Sequence, residues 1–339
     1  MIGYVIQETG HPTLEEGRVY GGYKLDLPRR TSVATVEDMD DQHDHRTEIR
    51  DFLASRRAKI TPEQAGLPTS GRRRVPGLRR EEVAVLAGVS TEWYTRLEKG
   101  HISGVSEDVL AAVAQALQLD EDERTYLFDL ARAARPARRT PSRRRDVAVP
   151  PRVEWLLDSI TMSAAFVRNG RLDVIAHNAL GRTLHAPMFD SPTTDQHGRP
   201  NFARYHFLDD GSRDFFVDWE SGAAATVALL RAEAGREPHD RTLRELIGEL
   251  STLSRDFRTL WAAHDVRIRH EGVKRLQHPE VGELELTYQS VDLPVSQRAV
   301  HDLSLYTAEP GSTSEERLKL LASLAATRTP AAERTDQRR

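Results

Sequence analysis

Cysteine is absent from the 339-residue chain. That excludes disulfides, thiolate nucleophiles and cysteine-bound zinc, and it fits a reducing compartment, the cytoplasm being the expected one. No apolar run approaches the roughly eighteen residues of a membrane helix, so no membrane partner is expected. The opening segment MIGYVIQETGHPTLEEG lacks both a basic start and a sustained apolar stretch, and so does not read as a secretory signal. Catalytic signatures are missing too: there is no H-E-x-x-H, no G-x-S-x-G and no phosphate-binding loop. Histidine is plentiful in the second half (His177, His185, His206, His264, His270, His278 and His301), but its spacing converges on no ligand set. His264 and Asp265 are adjacent, and neighbours in sequence face different sides of a helix. Neither enzyme activity nor a metal or other cofactor is expected.

An excess of positive charge is also missing, since the net charge is −4. The total conceals a split. Residues 46–145 hold twenty Lys/Arg against fourteen Asp/Glu, a net of +6, whereas 1–45 and 146–339 each carry −5. The basic charge is confined to one segment, as a phosphate-binding footprint requires.

That segment contains REEVAVLAGVSTEWYTRLEKG, residues 80–100. Val83 and Ala87 are four apart and share one helix face, while Tyr94 and Leu97 share a face of a second helix. Between them, Gly88 takes a positive φ at low cost and ends the first helix, Val89 plugs the elbow, and Ser90 caps the next helix. Ala84 is small enough for close helix approach. The pattern is that of a helix-turn-helix, whose second helix would turn Thr91, Glu92, Thr95 and Arg96 toward base edges. The plainer alternative is an ordinary αα-hairpin.

Around this unit the chain divides into five parts. Residues 1–45 show no period and read as a disordered tail, within which Met39 stands beside Met1 as a candidate start. Residues 46–134 read as five helices. The first runs from about Thr47 to Lys59 on an Ile49, Phe52, Leu53 stripe, and a Pro- and Gly-rich loop carries Arg72-Arg73-Arg74. After the helix pair, Ser106 caps a fourth helix and Asp120 with Glu123 starts a fifth. Residues 135–151, RPARRTPSRRRDVAVPP, form an Arg/Pro-rich linker that is either a solvated tether or an extra phosphate contact. Residues 152–326 begin with a hairpin around Asn169-Gly170 and turn helical from Asn178. Further helices are expected at 218–234, 240–254 and 255–264. Two alternating strands follow, 282–288 and 302–306, and a last helix runs from Ser314 to Ala325. This predicts an α+β domain with helices on one face of an antiparallel sheet. Residues 327–339 read as a second disordered tail.

Several stretches together resemble the MmyB-like branch of the Xre family of bacterial transcription regulators. They are GRRRVPGLRREEVAVLAGVSTEWYTRLEKG, VLAAVAQALQLDEDERTYLFDLA, LDVIAHNALGRTLHAPMF, DWESGAAATVALLRAEAGR, FRTLWAAHDVR, KRLQHPEVGELELTYQSVDLP and YTAEPGSTSEERLKLLA. The resemblance spans about 280 of 339 residues. It implies an Xre-type, lambda-repressor-like helix-turn-helix domain followed by a PAS-like ligand-binding domain, acting as a regulator of transcription. It also implies a ligand of fatty-acid-like kind and a homodimer on paired half-sites of a double-stranded DNA operator.

By the pattern of Xre-type reading helices, Thr91, Glu92 and Arg96 match the positions that face bases. Arg96 suits guanine O6/N7, Glu92 suits cytosine N4, and Thr91 suits a base edge or a thymine methyl. Glu92 has an alternative in pairing with Arg96, and Trp93 divides between packing and the DNA backbone. Phosphate contacts are expected from Arg72, Arg73, Arg74, Arg79, Arg80, Ser90 and Lys99. Without coiled-coil heptads, a dimer surface must come from the fifth helix or the second domain. In that domain Phe166, Phe207, Trp219, Leu230, Trp261, Leu286, Tyr288 and Leu305 are the candidates to line a small apolar pocket. The alternatives are a packed core without a cavity and a domain that serves only dimerisation or protein contact.

Overall fold

The computed structural model describes residues 36–68, 73, 75–134, 149–267, 269–296 and 299–328. Two domains are present, an all-α one and an α+β one.

The first contains α1 (Val36–Lys59), α2 (Arg80–Leu86), α3 (Thr91–Glu98), α4 (Glu107–Ala116) and α5 (Glu121–Ala133). Helix α1 starts earlier than the Ile49 stripe suggests, so residues 36–45, expected in a tail, are helical. That stretch contains neither Gly nor Pro, and its acidic residues suit the N-terminal half of a helix. His45 ties it down through a 3.0 Å bond to the Leu130 carbonyl. Ile49, Phe52, Leu53, Val83, Tyr94 and Leu97 bury completely or nearly so, together with the apolar faces of α4 and α5.

The α2–α3 turn forms as its residues dictate. Gly88 has φ +66° and Val89 packs against the core. The Ser90 hydroxyl accepts from the Trp93 amide at 3.1 Å. Gly100, with φ +88°, ends α3 against α1, and a Cβ there would stand 2.7 Å from the Arg46 carbonyl oxygen. Gly100→Ala is therefore expected to cost more than about 1 kcal/mol in thermal unfolding, through both backbone strain and steric clash.

The second domain opens with α6 (Pro151–Ser159), where Pro151 at the first helical turn supplies a preset φ. Strands β1 (Ala164–Arg168) and β2 (Val174–His177) form the expected hairpin. Then come α7 (Ala179–Leu184), α8 (Ala186–Phe189), α9 (Pro192–His197), α10 (Phe202–Leu208), α11 (Gly211–Phe215), α12 (Trp219–Arg236), α13 (Arg241–Leu253) and α14 (Arg255–Ala262). Strands β3 (Glu271–His278), β4 (Gly282–Ser296) and β5 (Ala299–Thr307) and helix α15 (Thr313–Arg328) complete it. The sheet is antiparallel, in the order β2-β1-β5-β4-β3.

Three features depart from the expectation. Helix α6 lies where a linker and a plain domain start are expected. Through Val153 and Leu157 it covers the face of Ala165 and Val167, so helices lie on both faces of the sheet. Strand β3 is also additional: its inward positions alternate Lys274, Leu276 and His278, and the two polar members mask the period of two. Helix α15 runs to Arg328, past the expected end of the domain. The rest of the expected linker, 135–148, and of the C-terminal tail, 329–339, lie outside the described residues, as do 1–35.

Candidate nucleic-acid interface and ligand interior

Helix α3 is held from behind. Its last residue, Glu98, is 1% exposed, although it follows Tyr94 and Leu97 on the buried stripe. Its carboxylate accepts from Arg57 of α1 at 2.8 and 2.9 Å and from Arg80 of α2 at 3.0 Å. Burial works to raise the Glu98 pKa, but the hydrogen bond and charge of Arg57, with Arg80, overcome it and hold the carboxyl below its usual range. Three helices of the reading unit thus meet at one buried anion. Tyr94 is buried in the core, and burial raises its phenol pKa.

On the other side of α3, Thr91, Glu92 and Arg96 are exposed. No ion pair joins Glu92 to Arg96 among the described residues, so the local-pair alternative is not realised. Thr95 is half-buried and, with Thr91, borders a recess of about 350 Å³ shared with Arg57, Arg79 and Arg80. The fold therefore brings Thr95 to the flank of the reading face, beside the cations of α2, rather than to its crest. Trp93 is half-buried against the helical core.

The expected phosphate ligands divide. Lys99 is exposed, and Arg79 and Arg80 are about half exposed while pairing with Glu81 and Glu98. Ser90 is exposed, with its hydroxyl engaged in the cap. Arg73 differs from the expectation. It clasps Glu82 through both guanidinium nitrogens at 2.7 and 2.8 Å and donates to the Gly77 carbonyl, so its charge is neutralised within the chain. Glu82 in turn accepts from the Arg79 amide at 2.6 Å, and Arg73 first among its partners draws its pKa down to about 2. Arg73 thereby fixes the start of α2. Arg72 and Arg74 lie outside the described residues.

The eight pocket candidates are not brought together. Phe166, Trp219 and Leu286 belong to the cluster between the sheet and its inner helices, with Tyr288 at its edge. Leu230 and Trp261 belong to a cluster among α12, α13 and α14. Phe207 touches both clusters, and Leu305 lies on the outer face under α6. None borders an open cleft of about 600 Å³ that passes Leu157, Ile175, His177, Phe189 and Pro200. Aromatic and aliphatic residues mark burial, and burial alone does not separate pocket from core.

What the sequence did not single out is the polar content of the inner face. Lys274 of β3 is half-buried, with its ammonium 5.2 Å from the Tyr288 ring centroid and 6.0 Å from that of Phe216. It makes no ion pair with any described residue, and burial, helped by the charge of Arg168, lowers its pKa to about 8. Nearby, His185 is 1% exposed, ringed by Phe166, Phe202 and Tyr306, each at 5.3 Å. Neither of its ring nitrogens has a hydrogen-bond partner among the described residues. Burial, and then the charge of Lys274, push its pKa down to about 3, so the ring is neutral at pH 7.

A basic helix-turn-helix whose second helix exposes Thr91, Glu92 and Arg96, joined to an α+β domain with this interior, defines a two-domain DNA-binding transcription regulator. The comparisons agree. Residues 149–321 match the MmyB-like transcription regulator ligand binding domain, and residues 49–127 match a helix-turn-helix domain. The first match covers more than half of the chain, and the chain belongs to the MmyB-like transcription regulators. Comparison with curated proteins gives no match.

Proposed function

We propose that the chain reads a specific double-stranded operator in the cytoplasm as a homodimer. Thr91, Glu92 and Arg96 contact bases, with Thr95 at their flank, and Arg79, Arg80 and Lys99 contact phosphates. The second domain takes a small, mainly apolar ligand of fatty-acid-like kind. The ligand reading is carried by Lys274: an ammonium among aromatic rings, with no carboxylate of the described residues beside it, is costly, and an anionic headgroup would relieve that cost. The surrounding Phe166, Phe216, Leu276 and Leu286 are suited to an aliphatic tail. A second reading, in which this domain serves only dimerisation or protein contact, draws support from the packed interior, where the eight apolar candidates share no single cavity.

Native mass spectrometry of the purified protein separates the two. The ligand reading expects a retained lipid-sized anion that is lost in Lys274→Met, whereas a bare mass in both proteins favours the second. Binding of added oleate should also weaken as pH rises through about 8. Lys274 is cationic below that pKa and neutral above it, so attraction for an anion is present on the acid side and lost on the alkaline side.

A further inference from the structure

Arg231, on α12 of the ligand-binding domain, is the largest fully buried side chain among the described residues, and it reaches into the other domain. Its guanidinium pairs with Glu48 of α1, donates to His264 Nδ1 at 3.0 Å and to the Trp261 carbonyl, and lies 4.1 Å from the centroid of the Trp261 ring. The same Glu48 oxygen, Oε1, also accepts from the Tyr126 hydroxyl of α5 at 2.6 Å. Beside His264, Asp265 accepts from Lys59 at 3.0 Å and from Arg56, which also pairs with Glu123 and donates to the His264 carbonyl. Val266 is 1% exposed and buries in the core of the helical domain. Helix α12 meets α5 so closely that a Cβ on Gly235 would stand 2.4 Å from the Tyr126 ring.

We propose that this contact is a latch: Arg231 and the 261–266 segment grip α1, and through α1 the ligand-binding domain sets the rigidity of the DNA-reading helix. On the DNA side, α1 holds α3 through Arg57 and Glu98 and through the seat of Gly100 on Arg46. On the ligand side, rings in contact run inward from the latch. Trp261 stacks on Phe257 at 5.5 Å, Phe257 meets Phe207 edge-on at 5.2 Å, and Phe207 meets Trp219 at 5.9 Å. Trp219 stacks on His206, and His206 on Phe216, the ring that faces Lys274. The docked arrangement leaves Thr91, Glu92 and Arg96 exposed, so the latched form is the one competent to read DNA. A buried cation bonded across two domains suits a switch because its partners cannot part without exposing or stranding charge. The inference that ligand occupancy works the latch rests on the function proposed above; the latch itself does not.

Hydrogen exchange of the full chain, with neither ligand nor DNA present, tests the latch separately from that function. Two variants are compared with wild type: Arg231→Met, which removes the charge at similar volume, and Gly235→Ala, which wedges α12 from α5 without touching a charge. In both, exchange in 46–59 and 91–98 should quicken by about 5- to 150-fold, the range of ordinary coupling, while β1 and β5 keep their protection. Loss of protection confined to 255–267, with α1 and α3 as in wild type, would overturn the proposal. Should Arg231→Met also lose protection in β1 and β5, and so no longer fold, Gly235→Ala decides between the same two outcomes.

Discussion

In selection from random duplex DNA, Arg96→Ala should lose preference at one base pair of each half-site and keep it at the others. Arg96 is exposed on the outer side of α3, with no carboxylate engaging it among the described residues. A guanidinium in that state has its paired donors available for guanine O6 and N7, a contact worth about 1–3 kcal/mol of discrimination. The expected loss is therefore roughly 5- to 150-fold at that position. Lys99→Ala, by contrast, should weaken all sequences alike and lower the salt slope by about one unit, because phosphate contacts carry charge without sequence. If both variants lost affinity uniformly, Arg96 would be a phosphate ligand and not a base reader.

Glu98→Ala should strongly destabilise the reading unit. Removing the carboxylate leaves the Arg57 guanidinium, 18% exposed, with the Leu78 carbonyl but no counter-charge, and frees Arg80 from its anchor. Breaking a buried ion pair from one side costs about 3–5 kcal/mol, and the half-exposed Arg80 points to the lower end of that range. Chemical denaturation with an unchanged slope is the measurement. Glu92→Ala, six residues back on the outer face of the same helix, should stay within about 0.5 kcal/mol of wild type. Equal midpoints for the two variants would mean that Glu98 is not the joint of the three helices.

The contrast between these glutamates marks what is legible in the sequence. The helix-turn-helix is readable because local rules agree there: Gly88 needs its positive φ, Ser90 its cap, and Val83, Tyr94 and Leu97 their shared inward faces. The outward face then carries Thr91, Glu92, Thr95 and Arg96, and the narrower set Thr91, Glu92 and Arg96 is what the resemblance to Xre-type reading helices implies. Glu98 escapes such a reading because a carboxylate on a buried stripe makes sense only once Arg57, 41 residues away, is seen beside it. Arg73 looks like part of a phosphate-binding run, and only the fold shows Glu82 taking its charge.

The ligand domain is less legible for the same reason. Hairpin β1–β2 and the alternating strands β4 and β5 announce themselves through turn chemistry and a period of two. Strand β3 does not, because Lys274 and His278 occupy inward positions normally apolar. Those irregular positions hold the polar groups of the interior, whereas the eight apolar candidates, picked for size and hydrophobicity, are shared among separate packed clusters. Helix α5, one of the two expected sources of a dimer surface, packs against α12 on one side.

The most direct test of DNA reading by α3 is methylation interference on a selected operator, comparing wild type with Arg96→Ala. Methylating guanine N7 blocks a guanidinium from the major-groove edge. One guanine in each half-site should bar the wild-type protein when methylated and make no difference to the variant. If the same guanines bar both proteins equally, Arg96 does not touch them and the assignment of the reading face is wrong.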